Sequence, residues 1–163
     1  MRKTLIEQIT KSSHSSDLDY LDLEKLAQVE ISSENPEYPI ESALVCGFNS
    51  GWQAASSGEQ TIRLIFDQPQ VIKFISLAFD ENKQARTQEF ILLWRRENED
   101  FFQEILRQQY HFSPPLTIRQ LENYTVDLKQ LNALELRIIP DISGGDALAS
   151  LTLMKLSAMQ IGN

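Results

Sequence analysis

Five side chains spread along the chain have the chemistry to bind a polar ligand. Trp52 offers an aromatic face that could stack on the apolar side of a sugar ring. Arg86 offers paired hydrogen-bond donors for hydroxyls or a carboxylate. Tyr110 and His111 add a stacking surface and a hydrogen-bond donor, and Asp146 adds acceptor oxygens. These five residues are the predicted ligand-binding set.

A structural alternative stands beside several of these assignments. Arg86 could be a solvated loop arginine, and Tyr110 with His111 could simply anchor a loop. Asp141 and Asp146 flank a glycine pair, where carboxylates often accept hydrogen bonds from turn amides. We assign Asp141 to such a turn and keep Asp146 as a candidate.

The chain has few of the residues that catalysis or metal binding would need. The chain has two histidines and one cysteine, and His14 falls in a polar segment predicted to be a mobile tail. Cys46 with His111 could form a thiolate pair, but no neighbouring cation marks Cys46 as reactive. We therefore predict no catalytic residue, no metal site and no cofactor, and hence a protein that is not an enzyme.

Composition and charge restrict the partners. The chain has 163 residues and a formal net charge of -8, without a basic cluster to attract a nucleic-acid backbone. Its longest apolar runs, such as residues 91–94, are far shorter than the roughly 20 residues of a membrane helix. The first residues lack the apolar core of a secretory signal, and a single cysteine forms no internal disulfide. We expect a cytoplasmic protein that binds neither nucleic acid nor membrane.

The periodicity of the apolar residues predicts an all-β sandwich. Residues 17–26 carry a short amphipathic pattern, so residues 1–26 are assigned to a tail and a short N-terminal helical segment. From residue 27 to 163 the period changes to that of strands, and this range is assigned to one β-sandwich domain. Residues 71–79 are apolar on both faces, which is typical of a central strand covered on both sides. Residues 67–70 are predicted to form a turn.

The predicted strands place the long connections together. In a succession of antiparallel strands, every second connection lies at the same end of the sandwich. Residues 33–59, 80–88, 111–120 and 140–148 then share one end, and the short turns at 67–70, 96–101 and 129–132 share the other. Rigid sandwiches carry recognition on such loops, so the long-loop end is the predicted binding rim.

Several segments resemble the core of discoidin-type domains, the coagulation-factor C-type domains. The matching segments are Gly51-Trp52-Gln53-Ala54-Ala55 with residues 60–67, the strand at 71–77, the strand at 88–94, and residues 134–140, which end in a proline. The resemblance covers roughly residues 27–158 and implies the galactose-binding-like jelly-roll β-sandwich. It also implies a non-catalytic module that binds sugars, lipid head groups, proteins or, in one branch, nucleic acid.

The resemblance also bears on particular residues. It implies that Trp52 packs beneath the loops, which is the alternative to ligand stacking, and that Arg137 is a buried salt-bridge partner. The chain departs from secreted members because it lacks their paired terminal cysteines. It also departs from carbohydrate-binding relatives with an acidic calcium loop, since residues 46–51 contain no carboxylate. Membrane-binding relatives carry exposed apolar residues, whereas the long loops here look acidic and glycine-rich.

Two functions of different class follow. The first is a carbohydrate-binding module that uses the long-loop rim. The alternative is an intracellular protein-interaction module or complex subunit whose acidic surface and N-terminal helical segment meet a protein partner.

Overall fold

The computed structural model describes residues 20–45 and 50–159. The elements in chain order are α1 (Leu23–Leu26), β1 (Ala27–Ile31), α2 (Glu41–Leu44), β2 (Trp52–Gln53), β3 (Gln60–Asp80), β4 (Arg86–Arg96), β5 (Gln103–Phe112), β6 (Arg119–Ile139), β7 (Ser150–Leu151) and β8 (Leu153–Ser157). All the strand pairs are antiparallel. The predicted all-β fold is therefore confirmed.

Two long strands, β3 and β6, pass through both layers of the sandwich. Residues 60–65 of β3 pair with residues 133–138 of β6, and these halves lie in a layer ordered β1-β3-β6-β4-β5. Residues 72–80 of β3 pair with residues 119–128 of β6 and with β8, which makes a three-stranded layer. The pairing register of β3 shifts between Ile65 and Gln70, at the point where the chain leaves one layer for the other.

The core lies between these layers because alternate side chains of each strand face inward. Ile62, Leu64 and Phe66 of β3 and Leu134 and Leu136 of β6 belong to one buried cluster. On the second half of β3, every side chain from residue 74 to residue 79 is buried. The prediction of a central strand covered on both faces is confirmed there.

Some local predictions differ from the structure. Residues 67–70 and 129–132 were expected to form turns, but β3 and β6 continue through them with an irregular register, because the segments on either side of each pair with the same partner strand. The helix α2, which follows Pro39, was not predicted from its four residues. The N-terminal helical segment is α1, capped by the carboxylate of Asp22, whereas the tail at residues 1–15 and the predicted cap at residues 16 and 17 lie outside the described residues.

The strand pairs confirm that the long connections cluster. Asp80 pairs with Arg119, Arg86 with Phe112, and residue 89 with Ile139, so the strand ends beside the long connections lie together. We call this the loop end; its segments are residues 32–59, 81–85, 113–118 and 140–149, as far as they are described. We call the opposite end, with residues 67–70 and 97–102, the turn end. Within the described ranges, no helix has the length and hydropathy that crossing a membrane requires.

Candidate functional site

The five predicted residues of the binding rim differ in their exposure at the loop end. Trp52 is only 1% exposed, and its indole nitrogen donates a hydrogen bond to the Ser33 carbonyl at 3.1 Å. Its strand, β2, pairs with β7, which holds the ring beneath the loops. The prediction of an exposed stacking face at Trp52 is therefore wrong, and packing beneath the loops, as the resemblance implied, is its observed position.

Arg86 is buried rather than displayed on the rim. It is the first residue of β4 and is 2% exposed, since its side chain points into the sandwich beside Phe112. Its Nε donates to Glu81 at 2.6 Å, one Nη donates to the Pro140 carbonyl at 2.8 Å, and its guanidinium carbon lies 4.8 Å from the Phe112 ring centroid. The expected exposed loop position is wrong, and Arg86 instead ties three segments of the loop end together.

Glu81 completes this connection. Besides the Arg86 guanidinium, its carboxylate accepts backbone hydrogen bonds from Lys83 at 2.9 Å and Gln84 at 3.2 Å. Burial alone would raise the pKa of the Glu81 carboxyl, but the hydrogen bonds from Arg86 and the two amides, with the guanidinium charge, outweigh burial and lower that pKa. The 81–85 segment is therefore fixed by an ionised carboxylate and a buried cation.

Tyr110 and His111 do not converge on one site. They are successive residues of β5, so their side chains point to opposite faces of the sheet. The half-buried Tyr110 donates its hydroxyl to the Arg119 carbonyl at 2.9 Å, which anchors the start of β6. His111 is exposed and has Nδ1 at 2.8 Å from the Thr87 hydroxyl on the outer face. The loop-anchor alternative describes Tyr110, while ligand contact by His111 stays a prediction.

Asp146 and Asp141 belong to the last loop. The carboxylate of Asp141 accepts the Ser143 amide at 3.0 Å, which confirms its assignment to a turn. Asp146 is exposed, between the glycine pair and the buried Ala147. Asp146 does not line the cavity described next, but both of its sequence neighbours, Gly145 and Ala147, do, and contact of Asp146 with a ligand stays a prediction.

An open cavity of about 270 Å³ lies between two segments of the loop end. We call it the loop-end cavity; its lining residues are Gly58, Glu59, Ile139, Pro140, Asp141, Ile142, Gly144, Gly145 and Ala147. Its three glycines have positive φ, a conformation that favours glycine, and a Cβ added at any of them would meet no atom within 4 Å, so the space beside them is open. Sequence reasoning brought these loops together but missed the lining residues Glu59 and Ile142, for which the adjacent glycines were the available signal.

Two other cavities are less suited to a polar ligand. One of about 280 Å³ lies among α1, β1 and α2 and is lined mainly by aliphatic side chains such as Leu23, Val29 and Ile40. Another of about 300 Å³ borders β1 and β3, where the Arg63 guanidinium is already paired with Glu30 and Glu135. The loop-end cavity is lined by both apolar and acidic residues, and it lies among loops held by a rigid core.

The loop end is more apolar than the sequence indicated. Leu116 is 88% exposed, and Ile118 and Ile142 are also exposed, although these loops were expected to be acidic and glycine-rich. Ile142 lines the loop-end cavity, whereas Leu116 and Ile118 lie on the 113–118 segment. Apolar contact is thus available to a ligand beside the polar groups.

Arg137 lies elsewhere, on the outer face of the five-stranded layer. Its Nε donates to Glu135 at 2.6 Å, and Arg63 donates to the same carboxylate at 2.7 Å. The expected salt bridge is present, but the buried partner is Glu135, since the Arg137 side chain is 39% exposed. No group of three His, Cys, Asp or Glu side chains within the described part of the chain is arranged to hold a metal ion.

Comparisons with known structures identify the fold. No protein-family model matches the sequence, and no curated protein matches it. A family 32 carbohydrate-binding module from Clostridium perfringens NanJ, solved with galactose, superposes with a TM-score of 0.63 at 11% identity, over 85% of this chain and 97% of that one. The family 32 module of AlyQ, solved with 4,5-unsaturated mannuronic acid, gives 0.58 at 16% identity, over 81% and 95%.

A solved discoidin-type structure also superposes on this chain, which supports the resemblance found in the sequence. An F5/8 type C domain from Bacteroides fragilis superposes with a TM-score of 0.61 at 15% identity, over 88% of this chain and 97% of that one. A Ruminococcus gnavus fucosidase matches 86% of this chain at 10% identity and a TM-score of 0.62, but the chain spans only 27% of the fucosidase. The protein therefore has the galactose-binding-like fold shared by discoidin-type domains and family 32 modules.

Proposed function

We propose that this protein is a carbohydrate-binding module whose ligand occupies the loop-end cavity. The fold is that of modules solved with galactose and with an unsaturated mannuronic acid. Fold likeness at these identities does not carry function by itself. The proposal therefore depends on the cavity.

The observation that carries the proposal is the composition of the loop-end cavity. A sugar ring has one apolar C–H face and a rim of hydroxyls, so its site needs both apolar and hydrogen-bonding groups. Pro140, Ile142 and Ala147 supply apolar surface, and Glu59 and Asp141 supply carboxylate oxygens. At about 270 Å³ the cavity is slightly smaller than the usual range for small-ligand sites, which favours one or two sugar rings over a long chain.

The rigidity of the surrounding loops supports the same function. Arg86 fixes the Pro140 carbonyl from inside the sandwich, and Trp52 supports residue 33 from below. A preformed site loses little conformational freedom on binding, which matters for a small ligand with few contacts. We further propose that the module is non-catalytic, since Glu59 stands in an open cavity without the enclosure that would exclude water from a reaction. The comparisons do not favour the alternative of a protein-interaction module.

A ligand screen tests the proposal. The purified protein is titrated with monosaccharides and disaccharides, and the unfolding midpoint and the heat of binding are measured. A ligand at about 100 times its dissociation constant should add roughly 2.7 kcal/mol to the free energy of unfolding. For a domain of this size the midpoint then rises by about 5–10 °C.

Two variants locate the site. Ile142→Ala removes exposed apolar surface from the cavity, and we expect it to weaken sugar binding while the unfolding midpoint of the free protein barely changes, because Ile142 is 49% exposed. Val71→Ala is the matched control, since Val71 is 39% exposed on β3 beside the turn end. Equal loss of affinity in both variants, or no binding of any sugar by the parent protein, would exclude the loop-end cavity as a sugar site.

A further inference from the structure

The loop-end cavity has acidic walls and no basic residue in the segments that form them. Glu59 and Asp141 line it, and Asp146 lies between two of its lining residues. Residues 54–59 and 140–149 contain no Lys or Arg. A ligand that enters the cavity is therefore exposed to a negative potential from at least two sides.

The cations of the loop end cannot offset this potential. Arg86 contacts a residue that lines the cavity, because it donates to the Pro140 carbonyl. Its side chain is buried, however, and its charge is paired with Glu81 at 2.6 Å. Arg119 lies 3.8 Å from the Asp80 carboxylate on another strand. Lys83 and Arg119 are exposed, but neither lines the cavity.

We propose that the loop-end cavity selects sugars by charge, binding protonated amino sugars more tightly than neutral sugars and neutral sugars more tightly than uronic acids. The inference rests on the proposed carbohydrate function and names the ligand class of that same site. The fold alone does not decide the charge of the preferred sugar, because structures of the same fold hold a neutral sugar in one case and an unsaturated uronic acid in another. The wall charges of this chain decide it.

The expected size of the effect follows from exposed charge interactions. Exposed ion pairs are weak because water and salt screen them, so two or three exposed carboxylates near a ligand charge should change its affinity by about 3- to 10-fold. The sign is opposite for an ammonium group and a carboxylate on the same sugar. At about 0.5 M salt the Debye length falls to roughly 4 Å, and most of the difference should disappear.

The experiment compares matched sugars at low and high salt. Galactosamine, galactose and galacturonic acid, and the corresponding glucose series, are titrated calorimetrically at a pH near 6, where the amine is protonated and the uronate is ionised. At low salt we expect affinity to fall by about 3- to 10-fold at each step from the amine to the neutral sugar to the uronate.

A double variant tests whether the wall charges are responsible. Glu59→Gln with Asp146→Asn removes two exposed carboxylates and keeps side-chain size, so the fold should be unaffected. We expect the charge selectivity to decrease to about twofold or less for each step. The matched control is Asp67→Asn with Glu97→Gln, which makes the same change in net charge with two exposed carboxylates at the turn end.

The outcomes separate the two proposals. Uronates that bind at least as tightly as neutral sugars at low salt would overturn the charge selection and leave the carbohydrate function intact. Equal effects of the two double variants would also overturn it, because the selectivity would then reflect overall net charge. If no sugar of any charge binds, the carbohydrate function and the charge selection both fail.

Discussion

The ion pair between Glu81 and Arg86 should be a main determinant of stability at the loop end. The Arg86 side chain is 1% exposed and that of Glu81 is 12% exposed, with Nε to Oε1 at 2.6 Å. The substitution Glu81→Gln keeps the shape of the side chain and removes its charge. It therefore leaves a buried guanidinium without a counterion.

The loss of unfolding free energy in Glu81→Gln follows from the burial of the Arg86 guanidinium. Removing one partner of a buried ion pair costs about 3–5 kcal/mol, because the remaining charge is neither hydrated nor neutralised. For a protein of this size, each kcal/mol lowers the unfolding midpoint by about 2–4 °C. We therefore expect Glu81→Gln to lower the midpoint by about 6–20 °C.

Urea unfolding at several pH values is the assay. The pKa of Glu81 is lowered in the folded state, so its carboxylate contributes stability above its unfolded-state pKa, and that contribution is lost as the pH falls through the folded-state pKa. The difference between the parent protein and Glu81→Gln should be constant near neutral pH. It should shrink once the pH drops below about 4.

Asp127→Asn is the matched control. Asp127 pairs with Lys73 at 2.9 Å, but the two side chains are 60% and 36% exposed, so water screens the pair and its loss should change the unfolding midpoint little. A cost for Glu81→Gln no larger than that of the control would refute the assignment of Arg86 as a buried, paired cation. A difference that increases toward acidic pH would refute the direction of the Glu81 shift.

Three further predictions concern the core beneath the loops and the outer sheet face. Trp52→Phe should lower the free energy of unfolding by about 1–3 kcal/mol, since the Ser33 carbonyl loses its donor, and an unchanged stability in urea would contradict the observed hydrogen bond. Gly51→Ala should destabilise the protein far more than Gly58→Ala. A Cβ at Gly51 would lie 2.7 Å from the Leu151 carbonyl oxygen, whereas one at Gly58 meets nothing within 4 Å. Equal unfolding midpoints of the two variants would disprove this packing. Glu135→Gln should cost about 1–3 kcal/mol in the same assay, because this buried carboxylate accepts hydrogen bonds from two arginines, and a neutral effect would show that the network contributes nothing.

Much of the fold could be predicted from the sequence because it depends on local periodicity. Alternation at Ile62, Leu64 and Phe66 specified a half-buried strand, and the apolar run at residues 71–79 specified a central one. Counting antiparallel reversals then placed the long loops together, as the strand pairs confirm. The continuity of β3 through residues 67–70 could not be read in the same way, since it depends on pairing with β6 more than fifty residues away.

The candidate site was less predictable because exposure depends on what covers a side chain. The sequence identified Trp52 and Arg86 as residues with binding chemistry, but their neighbours in three dimensions bury both. Conversely, no pattern in the sequence singled out Ile142, which lines an open cavity.

The sequence by itself determined the class of fold, the end of the sandwich where long loops gather, and the acidic character of the chain. These properties follow from the spacing of apolar residues, the order of the strands along the chain and the amino-acid composition. All three are present before the chain folds. Only the tertiary structure decided which polar groups point inward to hold the loops and which remain available to a ligand. Arg86 becomes a buried tie because Glu81, Phe112 and Pro140 meet around it. Phe112 and Pro140 are far from Arg86 in the chain, so these contacts exist only after the layers have packed.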